Sequence, residues 1–174
     1  MLDPSWARIA GIHLEDDGTM GAVWLAHDHV TSIVHCYDAA LFKMEVPAVI
    51  TEAIGARGRY FPVAWRKKDK AMADKLLDAG VNMLPDPATD DQAIAEVISR
   101  EIWQKLRASQ FRVEKRVGEW LSEYRKYFRD DSQVPTKGFP LMAATRHAIE
   151  MLSWAEAETH GSRTQKNYPQ IAIV

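Results

Sequence analysis

The chain has 174 residues, 47% of them hydrophobic and 26% charged, with a formal net charge of −2. That length suits one domain with a full core, and the near-neutral balance excludes a globally basic nucleic-acid binder, so any phosphate contact must come from local patches. The single cysteine, Cys36, excludes an internal disulfide. With no apolar run long enough for a bilayer and no signal-peptide pattern, a soluble, intracellular protein is expected.

Trp6–Leu14 is apolar on both faces, as a central buried strand should be. Glu15-Asp16-Asp17-Gly18-Thr19 reads as an acidic turn, with Asp17-Gly18 as the positive-φ pair of a tight hairpin. Met20–His27 and Ser32–Tyr37 are two further strands, and Asp38–Glu45 reads as a connection. A helix is expected over Pro47–Ala56, then a short strand over Tyr60–Trp65 weakened by Pro62. Asp69 is a plausible N-cap for a helix over Lys70–Ala79, and Val81–Leu84 reads as a fifth strand.

Thr89-Asp90-Asp91 caps a long helix to about Ala108, with a buried stripe of Ile94, Val97, Ile98, Ile102 and Leu106, and Trp103 is read as core. Phe111–Val113 is a brief extended segment, and helices follow over Glu114–Arg129 and Leu141–Ala157. The order βββαβαβααα fits an α/β domain over 1–157, a mixed sheet of about five strands with helices on both faces, and a polar tail over 158–174.

Several stretches carry a family resemblance. They are GIHLEDDGTMGAVWLAHD at the first hairpin, VHCYDAALF, ARGRYFPVAW, GVNMLPDPATD, WLSEYRKYFRDD and LMAATRHAIEML at the closing helix. In order and spacing, Trp6–Glu156 resembles the C-terminal nuclease domain of the large terminase subunit of tailed phages. The resemblance implies a ribonuclease H-like fold. It also implies endonucleolytic cleavage of concatemeric double-stranded DNA by carboxylates holding two divalent ions, Mg2+ or Mn2+. Portal protein and small terminase subunit are the implied partners, with Tyr168–Val174 as a docking element, and the bacterial host cytoplasm is the implied location. The packaging ATPase of that family is not in this sequence, which contains no GxxxxGK[ST].

Position by position, the family's acids fall on His13, on Lys68 (Asp69 if the alignment slips by one), on Phe139 and on Ala143. A relocated centre is geometrically conceivable: Asp16, Asp69 and His13 as catalytic groups, with Asp16, Asp69 and His147 as metal ligands, beside Glu15 and Asp17. Asp38 and Glu52 are weaker carboxylate candidates. Each has a plain structural alternative: a turn for Asp16-Asp17-Gly18, an N-cap for Asp69, a hydrogen-bonded core histidine for His147. Arg66, Lys67 and Lys68 are the expected DNA-phosphate contacts, with Arg112–Arg116 and Arg125–Lys137 as further basic clusters. Beside the enzyme stand two other readings, a non-catalytic module binding DNA or packaging partners, and a stable prophage remnant.

Overall fold

The computed structural model describes residues 2–127, 133–135 and 137–158. Of the expected tail over 158–174 all but Glu158 lies outside the described residues, as do Phe128 and Arg129. Strands β1 (Ala7–Leu14), β2 (Thr19–Asp28) and β3 (Ile33–Lys43) form an antiparallel meander. Strand β4 (Val63–Ala64) adds parallel to β1 and β5 (Phe111–Val113) parallel to β3, giving the order β4-β1-β2-β3-β5. The expected α/β class with a mixed five-stranded sheet is therefore what the chain forms.

Among the described residues five helices surround the sheet: α1 (Pro47–Gly55), α2 (Lys70–Asp78), α3 (Gln92–Arg107), α4 (Gly118–Tyr127) and α5 (Pro140–Glu150). β1 and β2 are buried on both faces, which requires cover on each side. Helix α5 lies across one face. A Cβ on Gly11 would meet the Ala144 carbonyl oxygen at 2.2 Å, and one on Gly21 would meet Pro140 at 2.5 Å, so two hydrogens in place of side chains let α5 sit directly on the sheet. On the opposite face Arg57, just past α1, lies over the Trp24 ring and pairs with Asp38, and α2 packs on α1.

Several local expectations are corrected. Asp38–Lys43 is not a connection but the second half of β3. Cys36 faces Leu25 and Asp38 faces Trp24, so Tyr37 is the extra residue of a bulge, past which pairing resumes. In the first turn only Gly18 takes positive φ, at 83°; Asp17 instead accepts the Thr19 amide with its side chain, and the loop is one of longer type than the two-residue hairpin. Val81–Leu84 forms no strand; it makes a single bridge, Val63 to Met83, along the outer edge of β4. The fifth strand is Phe111–Val113, so the order is βββαβααβαα. Asp91 caps α3 as expected, accepting from Ala93 and Ile94 amides, but Val97 and Trp103 face outward while Ile98 and Ile102 are buried. Arg107 lies over the Trp103 ring, which keeps that indole on the surface. Helix α5 ends at Glu150, and the chain returns through a short 3-10 turn, Leu152–Trp154, to bridge Glu156 with Arg8. Among the described residues no helix is long and apolar enough to cross a membrane.

Candidate functional site

The ends of β1 and β4 and the middle of α5 meet at one edge of the sheet. β1 delivers His13, its pairing partner being Gly21, the residue whose missing side chain admits α5. β4 runs parallel to β1 and hands the chain to Arg66 and the 3-10 turn Lys67–Asp69 beside the end of β1. The buried face of α5 carries Ala143, Arg146 and His147 toward the same place.

His13 Nδ1 and His147 Nε2 lie 3.1 Å apart, with the rings stacked. Both residues are buried. Burial pushes both imidazoles well below the usual histidine range. For His13 the neighbouring His147, Arg66, Arg146 and Lys68 push the same way; for His147, Arg146 and Arg66 do. Both rings are therefore neutral, and one donates to the other. Glu15 Oε1 stands 3.6 Å from His13 Nε2, beyond hydrogen-bond length, and accepts the Gly138 amide; burial raises its pKa.

Asp69 stands at the N-cap position of α2, as expected, but not as a capping side chain. Its side chain makes no cap hydrogen bond and turns back to the sheet, where Oδ2 accepts the Leu14 amide at 3.2 Å and both oxygens accept Arg66 Nε at 3.1 Å. Burial raises its pKa, opposed by the Arg66 charge and the Leu14 amide. Arg66 is only 8% exposed, unlike Lys67 and Lys68, and its guanidinium is engaged within the fold. Its Nη2 donates to the Leu14 carbonyl at 2.6 Å, and Nη1 is 3.6 Å from Asp90.

Asp16 does not join this group. Its carboxylate lies on the rim between Lys68 and Lys137, at 3.1 and 2.7 Å, and those two hydrogen bonds bring its pKa down to about 2. Lys67 and Lys68 are exposed, as expected. Phe139 precedes α5 and packs edge-on against Tyr127, and Ala143 is buried. Asp38 is held by Arg57 on the other face of the sheet. Among the described residues no three His, Cys, Asp or Glu side chains converge closely enough to hold a metal ion.

Beside the junction a shallow cleft opens to solvent, lined in part by His13, Arg66, Asp90, Gln92, Arg146 and His147. Arg146 and Glu123 are residues that the sequence does not single out. Arg146 is buried and donates to the Tyr127 hydroxyl. Glu123, on α4, accepts the Met142 amide in the first turn of α5 at 2.6 Å, and burial pushes its carboxyl up to about 7. The only signal in the sequence is its placement four residues before Tyr127 on one face of α4.

The geometry has counterparts among solved structures. The P22 large terminase nuclease domain superposes with a TM-score of 0.80 at 18% identity, covering 90% of this chain and 87% of that one. The chain has the fold of a large-terminase nuclease domain. A large terminase from a thermophilic bacteriophage, solved in complex with ADP, matches at TM-score 0.69 and 11% identity over 88% of this chain but 41% of its own length. The large terminase nuclease domain of bacteriophage SPP1, solved with bound Mn, matches at TM-score 0.60 and 13% identity, with 83% and 85% covered. No family model matches the chain, and no curated protein matches it.

Proposed function

We propose that the chain is the nuclease-like domain of a phage or prophage terminase large subunit and acts on concatemeric double-stranded DNA during packaging. The observation that carries this is the convergence of β1, β4 and α5 in the order β4-β1-β2-β3-β5, in a fold shared with the P22 nuclease domain. The basic surface near the end of β1 supports a DNA role: Lys67, Lys68 and Lys137 are exposed, with Asp16 bridged between the last two, and exposed lysines bind phosphates without sequence choice. Portal protein and small terminase subunit are the partners this reading assigns, and the host cytoplasm its location.

The activity of the class is endonucleolytic cleavage with Mg2+ or Mn2+, and the Mn-bound SPP1 domain supports a divalent ion for the fold. Asp69, Asp16, His13 and His147 are the residues of this chain that stand nearest to such a role. As built they do not fit it: Asp69 is held by Arg66 and the Leu14 amide, Asp16 by two lysines, and the histidines by each other. No catalytic step through a metal is derived from them. The pairing of Asp69 with Arg66 favours a second reading, in which the domain holds DNA without cutting it.

The test is duplex-DNA affinity of the native chain against Lys68→Glu with Lys137→Glu, by fluorescence anisotropy. A loss of roughly tenfold or more is expected, on the scale of two lost phosphate contacts. Unchanged affinity would remove this surface from the DNA path, and no affinity in the native chain at low salt would overturn the proposal.

A further inference from the structure

We infer that the Arg66 guanidinium is a built-in cation among the oxygen donors at the ends of β1 and β4, so that this junction is charge-balanced and complete without a divalent metal. Around it lie the oxygen donors a hard cation would gather. Both Asp69 oxygens accept Nε at 3.1 Å, the Leu14 carbonyl accepts Nη2 at 2.6 Å, and Asp90 lies 3.6 Å from Nη1. These donors come from the end of β1, the turn after β4 and the approach to α3, so one side chain ties three segments together.

The guanidinium cannot lose its charge in a protein, and its planar fork matches a carboxylate better than an ammonium does. Exchange for a dication would require Asp69 to abandon Arg66, leaving a buried guanidinium unpaired, which is far more costly than the pair itself. The surroundings oppose a second cation as well. Arg146 lines the same cleft, and the electrostatic reach of Arg66 and Arg146 already includes His13 and His147. The two imidazole nitrogens that face each other are used by their mutual hydrogen bond. Among the described residues His13 Nε2 is buried without a hydrogen-bond partner and faces Glu15 alone, at 3.6 Å, one carboxylate short of a cluster that could hold a metal. Glu15, Asp90, Asp91 and Glu150 are the other carboxylates near the junction; Glu15 accepts the Gly138 amide, Asp90 faces Arg66, Asp91 caps α3 and Glu150 accepts Thr89.

The inference takes its comparison from the proposed terminase reading, but its test reads metal occupancy and not DNA, so the two can fail separately. The native chain, freed of metal with EDTA, is titrated with Mn2+ while the free ion is followed by electron paramagnetic resonance, and its melting temperature is recorded in EDTA and in millimolar Mn2+. No one-per-chain site is expected up to roughly 1 mM, and the two melting temperatures agree within about 1 °C, since a ligand that binds the native state measurably must raise it. One manganese bound per chain, with the binding lost in Asp69→Asn, would overturn the inference.

Discussion

His13 and His147 are 134 positions apart in the chain, and their ring nitrogens meet at 3.1 Å in the interior, at the point where the last helix crosses the end of the first strand. Two neutral imidazoles share one hydrogen bond here; protonating both would leave two donors face to face, and burial opposes charging either ring. Their position ties the sheet to α5 on the face that the two glycines open.

The pair makes the fold acid-sensitive. Both folded-state pKa values lie below the unfolded value of 6.5, so the unfolded chain binds protons first, and stability present above pH 6.5 is lost as the pH falls. Urea melts between pH 7.5 and pH 5 should show a falling midpoint. The His13→Asn, His147→Asn double variant should be less stable at pH 7.5 and show a flatter profile. An identical profile in both proteins would remove the pair as its cause.

Glu123 acts with the opposite sign. Its carboxyl is raised to about 7 from 4.5, chiefly by burial, so the folded state holds the proton longer, and stability declines as pH rises from about 4.5 through 7. Glu123→Gln keeps an acceptor for the Met142 amide and removes the titration. At pH 8 it should stabilise the domain by up to on the order of 3 kcal/mol relative to native, with little effect at pH 4.5, as read by denaturant midpoints.

Gly11→Ala tests the close approach of α5. With the Ala144 carbonyl oxygen 2.2 Å from the added carbon, the helix must move off β1, and a loss of roughly 2–4 kcal/mol is expected. Gly80→Ala is a useful contrast, because space there is open and only its φ of 91° is strained; it should cost about 1 kcal/mol. Equal effects would contradict the packing account.

Removing Arg66 should expose its structural weight. Arg66→Ala leaves Asp69 buried and unpaired, at a cost of roughly 3–5 kcal/mol, whereas Arg66→Met with Asp69→Leu should recover most of that loss. A single variant as stable as native would mean that Asp69 finds water or another donor on its own.

How far the sequence leads depends on how local each interaction is. The first three strands and the Asp91 cap follow from apolar, β-rich runs around polar turns and from a side-chain acceptor, so they are legible. Tyr37 as a bulge is not, because an unpaired residue in mid-strand depends on a neighbouring strand's register. Val81–Leu84 has a strand's composition yet only one bridge, since β4 itself is two residues long and offers little edge. At the site, the sequence names His13, His147, Asp16 and Asp69; the fold brings the two histidines together and sets Asp69 against Arg66 and the end of β1. Arg66 reads as surface charge because an Arg-x-x-Asp spacing is indistinguishable from an exposed pair until β1 is placed beside it.

The most direct test of the account is the affinity of the native chain for a labelled duplex, measured across a salt series in EDTA and again in millimolar Mn2+, with a supercoiled plasmid incubated alongside. The account predicts binding that weakens steeply and linearly on a log–log salt plot, the same in EDTA and Mn2+, with the plasmid intact. Absence of duplex binding at low salt would contradict the DNA-handling role. Binding or nicking that appears only with Mn2+ and disappears in Asp69→Asn would contradict the metal-free centre.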